Sequence, residues 1–206
     1  MKGRGRAALG LSVLAGFTAP LVGQPVQTSA DDYTRYELLA PGSASFRIRY
    51  DVTATAVGAK VFFNPIRKGS EASEESATDP MTGKPLSFVV VGGAVARAGG
   101  LPTADLETEY LRVELPRAVP PGGEVRIRID KTYRDPKSYL AAGDTVVFTR
   151  TLSIKRNAVV LPLGYELIGV NYPSQVLTED DGRVAISFIN VGPDPVSLVV
   201  RGRRLP

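Results

Sequence analysis

The stretch Phe46-Arg47-Ile48-Arg49-Tyr50-Asp51-Val52-Thr53 places an apolar side chain at every second position. Successive side chains of an extended chain point to opposite faces, so this segment reads as a strand with one face in a core and the other in water. The same period recurs in Leu111-Arg112-Val113-Glu114-Leu115, in Val125-Arg126-Ile127-Arg128-Ile129-Asp130 and in Val184-Ala185-Ile186-Ser187-Phe188. Further strands are expected at 33–39, 61–64, 86–91, 146–154, 158–161, 165–170, 175–178 and 196–201. Between them stand Pro41-Gly42, Gly92-Gly93, Pro120-Pro121-Gly122-Gly123, Asp181-Gly182 and Gly192-Pro193. These end strands, because proline cannot donate to a ladder and glycine accepts positive φ. No window shows the spacing of an amphipathic helix; the best helical candidate, 103–109, spans a turn or two, so helix is expected in less than about a tenth of the chain. The reading is an all-β protein, a two-sheet antiparallel β-sandwich of about a dozen short strands.

The first thirty residues have a different character. Lys2, Arg4 and Arg6 precede an apolar run from Ala7 to Val22, and the chain turns polar at Gln24 to Ser29. This is the layout of a cleavable secretory signal. A permanent span needs roughly 20 apolar residues, and this shorter run is interrupted by Gly10, Gly16 and Pro20. Thr28-Ser29-Ala30 supplies the preferred cleavage site, after Ala30, with Gly23 as the alternative. The expected domains are therefore a signal peptide over 1–30 and one β-sandwich over 31–206, with no stable membrane span after cleavage. Three of the 25 basic residues and none of the 21 acidic ones fall in the signal, so the mature charge is close to +1. A nucleic-acid partner loses its support with it.

Absences bound the chemistry. The sequence has no cysteine, which closes disulfide and thiol chemistry and suits a bacterial periplasmic or secreted protein held together by burial alone. It has no histidine, which closes the Ser-His-Asp triad, imidazole metal ligation and the HExxH zinc motif. No catalytic residue, cofactor or metal ligand is expected. Glu71-Ala72-Ser73-Glu74-Glu75 with Asp79 could offer oxygens to calcium but lacks an ordered ligand spacing, and reads as a solvated acidic loop inside the longest non-strand segment, 64–85. The following residues, 79–85, read as a hairpin turn, as does Glu179-Asp180-Asp181-Gly182. Glu107 with Glu109, and Ser153 with Lys155, share strand-like spacings that do not by themselves make an acid pair or a Ser-Lys nucleophile. Arg201, Arg203 and Arg204 read as a soluble terminus. Basic and aromatic residues interleave in 131–139, where Tyr133, Arg134, Lys137 and Tyr139 are the candidate ligand-binding residues, able to stack on a sugar or grip an anionic group.

The run from Tyr110-Leu111-Arg112-Val113 through Pro120-Pro121-Gly122-Gly123 to Lys131-Thr132-Tyr133 resembles a strand, turn, strand and aromatic exit of the N-terminal β-sandwich of aminopeptidase N type zinc peptidases. Leu161-Pro162-Leu163-Gly164-Tyr165-Glu166-Leu167-Ile168-Gly169-Val170 and 181–188 resemble that domain's second half, so the likeness covers most of 45–200. It implies a saddle-like sandwich that, in the family, packs against a catalytic unit and helps shape its cleft. The family's HExxH lies in a following helical domain, so the resemblance assigns no catalytic residue here. The expected function is that of an exported, non-catalytic interaction or accessory module with a protein partner in the bacterial envelope. The alternatives are a carbohydrate-binding or carbohydrate-cleaving sandwich using the Tyr133–Tyr139 segment, and a calcium-stabilised adhesion-like domain.

Overall fold

Alternation governs the observed strands. The computed structural model describes residues 24–206; the basic start and apolar run of the expected export signal lie outside the described residues. The chain forms β1 (Ser29–Leu38), β2 (Ser45–Ala54), β3 (Val61–Pro65), β4 (Glu71–Thr78), β5 (Phe88–Gly92), a helix α1 (Gly93–Ala98), β6 (Glu109–Glu114) and β7 (Val125–Arg134). It continues through β8 (Tyr139–Ala142), β9 (Thr145–Leu152), β10 (Arg156–Val160), β11 (Tyr165–Val170), β12 (Gln175–Thr178), β13 (Val184–Ile189) and β14 (Val196–Arg204). The all-β class expected from the sequence is what the chain adopts.

Where two sheets were expected there are three among the described residues. Seven strands pair in the order β12-β13-β10-β1-β2-β7-β4, four in the order β11-β14-β9-β8 and three in the order β3-β6-β5. Neighbours run antiparallel except β1 and β10, which run parallel. The wide sheet is covered by two narrower ones. Phe46 and Ile48 of β2 join a core with Phe148, Leu198 and Val200 of the four-stranded sheet. Tyr50 and Val52, further along the same face of β2, join a second core with Phe62, Leu111 and Val113 of the three-stranded sheet. β7 divides the same way, with Ile127 and Ile129 in one core and Tyr133 in the other. Lys131 lies between them. A seam therefore crosses the wide sheet where one covering sheet gives way to the other.

The opposite face of the wide sheet is wet. Arg128 reaches Asp51 with both Nε and Nη2, at 2.6 and 2.9 Å, and Arg49 reaches Asp130 at 3.3 Å. These partners stand opposite each other in the ladder, which sets register more than it stabilises, since exposed pairs contribute at most about 1 kcal/mol.

Three local expectations are corrected. The acidic segment 71–78 is not a loop but β4, the edge of the wide sheet, with a bulge between Ser73 and Ser76 and Glu74 at φ 54°. A charged, bulged strand suits an edge, where it blocks pairing with a further chain. Helix occurs at Gly93–Ala98 rather than at 103–109. Gly93, expected to punctuate, packs α1 so closely that a Cβ there would lie 2.0 Å from the Asp105 carbonyl oxygen. Finally, β7 runs to Arg134, four residues past the expected end at Asp130, and keeps its alternation to the end.

Residues just before Asp31 are part of this architecture. Gln27 pairs through its side chain with the backbone of Phe63, accepting from its N–H at 2.7 Å and donating to its carbonyl at 3.1 Å. Ser29 and Ala30 pair with Ala54 and Thr53 at the start of β1.

Candidate functional site

The seam opens as a cleft of about 420 Å³ to which all three sheets contribute. Its floor is the inward phase of the wide sheet: Tyr36 of β1, Ile48 and Tyr50 of β2, and Lys131 and Tyr133 of β7. The four-stranded sheet supplies Arg150 from the inward phase of β9, and the end of β3 supplies Asn64 and Pro65, with Arg67 and Lys68 at the mouth. Among the described residues that line it, four side chains are cationic and none is a carboxylate.

Lys131 is 4% exposed. Its ammonium donates to Asn64 Oδ1 at 2.5 Å and to the Pro65 carbonyl at 3.1 Å, and lies 5.1 Å from the centre of the Tyr133 ring. Burial, with the nearby Arg150 charge, pulls its pKa down to about 7, and Glu75 opposes this weakly. Arg150 is 7% exposed, and its guanidinium lies over three rings, Phe46 at 5.2 Å and Tyr36 and Tyr133 at 5.5 Å. Among the described residues its Nη1 donates two long hydrogen bonds, to Ser138 Oγ at 3.4 Å and Asp135 Oδ2 at 3.5 Å, and the Tyr36 hydroxyl lies beside the guanidinium. Behind Tyr50, a bulge in β1 turns Asp32 inward to accept from the tyrosine hydroxyl at 2.8 Å, and burial raises that carboxyl above its ordinary range.

Lys131 makes stability depend on pH. Its folded pKa lies below its unfolded one, so the unfolded chain binds the extra proton between about pH 7 and 10.5 and stability rises with pH across that window. The groups that face it are Arg150 of β9, Tyr133 of β7, Glu75 of β4, and Asn64 and the Pro65 carbonyl at the end of β3. Urea unfolding of wild type and Lys131→Met isolates its share. The wild type is expected to gain on the order of 3 kcal/mol relative to the variant between pH 7 and 10. An unchanged difference would place the ammonium in water.

The four residues singled out from the sequence are not brought together on one surface. Tyr133 and Tyr139 are each 1% exposed. The Tyr133 hydroxyl accepts from the Arg67 N–H at 3.0 Å, and the Tyr139 hydroxyl donates to the Leu39 carbonyl at 3.0 Å. Arg134 is exposed and faces Glu71 of β4 at 3.5 Å, and Lys137 is exposed in the turn after β7. Of the four only Tyr133 lines the cleft, so no exposed aromatic platform for a sugar is formed by this segment. Lys131 and Arg150, which carry the site, were missed as a pair. The signal was present: each occupies the apolar phase of an alternating strand, where a charge is out of place.

Two of the acidic groups, Glu74 and Glu179, have structural partners. Glu74 accepts from Thr132 Oγ1 at 2.8 Å, and Glu179 accepts from Arg35 at 2.5 and 2.7 Å, tying the β12–β13 hairpin to β1. Among the described residues no group of three or more His, Cys, Asp or Glu is placed to hold a metal ion.

No protein-family model matches the chain, and no curated protein does. Among solved structures, the M1 zinc metallopeptidase from Deinococcus radiodurans has a similar fold, with a TM-score of 0.50 and 14% identity over 88% of this chain and 42% of that one. A mutant of the same enzyme aligns with a TM-score of 0.48 and 14% identity over the same shares, 88% and 42%. This chain thus spans less than half the length of the peptidase it matches. The likeness to a zinc peptidase expected from the sequence is met at the level of fold.

Proposed function

We propose that this chain is an exported, non-catalytic β-sheet module that acts by binding in the bacterial envelope. One observation carries the reading: the seam cleft presents preset cations and tyrosine rings, with no nucleophile set beside a base. A reacting group needs a partner within about 2.6–3.2 Å that takes its proton. Lys131 is held instead by two neutral acceptors, Asn64 Oδ1 and the Pro65 carbonyl, neither of which is a base that could take its proton. We place signal cleavage after Gly23, because cleavage after Ala30 would remove Gln27 from β3 and the first two residues from β1.

Expression of the full chain in a Gram-negative host tests this in two steps. Osmotic-shock fractionation followed by N-terminal sequencing is expected to yield a periplasmic protein starting at Gln24; a cytoplasmic protein retaining Met1 contradicts export. The purified product is expected to release no dye from aminoacyl p-nitroanilides above the buffer rate. Steady turnover contradicts a binding role.

A further inference from the structure

The seam holds a charge arrangement that packing does not require. Lys131 and Arg150 come from different sheets, yet their charges lie 5.1 and 5.5 Å from the centre of one ring, that of Tyr133. Two cations taken out of water beside each other repel, and apolar side chains of similar volume would fill the same space without that repulsion. Asp135 is the carboxylate nearest to Arg150, but it is already occupied. It accepts from Ser138 Oγ at 2.6 Å, from Ser70 Oγ at 3.2 Å, and from the N–H groups of Lys137 and Ser138 at 3.1 Å. Among the described residues Arg150 makes two long bonds through Nη1 and has the Tyr36 hydroxyl beside it, which leaves guanidinium N–H groups over, and Lys131 has one ammonium proton beyond the two held by Asn64 and Pro65. An acceptor anion in the cleft would satisfy both.

We propose that the seam cleft binds a small organic carboxylate, its oxygens taken by Arg150 and Lys131 and its apolar body lying against Ile48, Tyr50 and Leu152. This rests on the reading that the chain acts by binding. The planar guanidinium suits a carboxylate, and the tyrosine and aliphatic walls suit an apolar body attached to it. A phosphate dianion would bring a second charge into walls that offer it few further donors. The volume, about 420 Å³, is that of a small-molecule site. At the mouth, Lys68 is engaged with Asp105 at 3.0 Å and Glu107 at 3.4 Å, which leaves Arg67 as the charge that draws anions inward.

Isothermal titration of the exported chain with 4-phenylbutyrate, its neutral amide 4-phenylbutyramide and inorganic phosphate tests the assignment. The acid is expected to bind at least about tenfold more tightly than the amide or phosphate. Lys131→Met and Arg150→Met should each weaken the acid by at least about tenfold with little change for the amide. Circular dichroism checks both variants for folding, and Lys131→Met, which leaves Arg150 and Asp135 together, decides the matter if Arg150→Met does not fold. Equal binding of acid and amide, preference for phosphate, or no binding of the acid overturns the proposal. Turnover of anilides sinks the binding role itself, whereas absence of both turnover and acid binding sinks only the ligand assignment.

Discussion

Replacing Asp135 by alanine is expected to destabilise the chain by about 3–5 kcal/mol, because it leaves a buried guanidinium without its counter-charge. Asp135 and Arg150 have side chains that are both 6% exposed. Burial raises the Asp135 pKa, but hydrogen bonds from Ser138 and Ser70 and the charge of Arg150 together outweigh it and hold the carboxyl below its ordinary range. The stability it contributes is therefore present above the ordinary carboxylate pKa and is lost as pH falls through the lowered folded value. Alanine also removes the acceptor of the Lys137 N–H at the turn between β7 and β8, while the Ser138 N–H keeps the Asp135 backbone carbonyl at 3.0 Å. Asp135→Asn, which keeps an acceptor for that turn but removes the charge, should lose roughly half as much. Urea unfolding of Asp135→Ala, Arg150→Met and the double variant separates the contributions. If the charge of Arg150 is what makes the alanine variant costly, the double variant is more stable than Asp135→Ala alone. A loss below about 1 kcal/mol would instead mean that solvent in the cleft already balances Arg150.

Phe46→Ala is expected to have an effect of the same size for a different reason. The ring is fully buried on β2 and meets Phe148 at 5.3 Å and Tyr36 and Tyr133 at 6.1 Å, all three edge-on. Removing it takes away apolar area and leaves a void in a core joined by two sheets that cannot easily close together, a loss of about 3–5 kcal/mol. The same ring lies under Arg150 at 5.2 Å, so its loss also unseats the cation. Leu163→Ala, at a side chain 68% exposed, should stay within about 0.5 kcal/mol of wild type and serves as the control. A Phe46→Ala loss under about 1.5 kcal/mol would show that the core relaxes around the gap, and that the cleft floor is not rigid.

The strands were legible because period-two alternation is a direct image of a half-buried sheet. Phe46 to Thr53 lies within β2, and 184–188 within β13. β4 was not legible, because Glu71-Ala72-Ser73-Glu74-Glu75-Ser76-Ala77-Thr78 has few apolar residues and only Ala77 is buried. An edge strand with a bulge has neither two buried neighbours nor an unbroken period. β8 was too short to show one. The division into three sheets was invisible too, since β2 and β7 each feed the cores on both sides of the seam with the same residue types.

The site was half legible. Tyr133 was chosen for an exposed loop, but it continues the inward phase of Val125, Ile127 and Ile129, and the phase alone predicts its burial. Following that phase without stopping at Asp130 leads to Lys131, and the same rule on Val146 and Phe148 leads to Arg150. A charge on the apolar phase of a strand is costly unless something compensates it, and that makes it a better pointer to a site than a cluster of charges on the wet phase. That the two lie beside one ring follows only from the packing of two sheets.

The most direct test is a pH titration of the lysine side-chain nitrogens by NMR in the exported chain, with and without 4-phenylbutyrate. Lys131 Nζ is expected to titrate at about 7 in the free protein and to move upward when the acid binds, because a carboxylate beside the ammonium favours its charged form. A Lys131 signal that titrates in the ordinary lysine range and ignores the acid would contradict the account of the seam as a buried cationic site awaiting an anion.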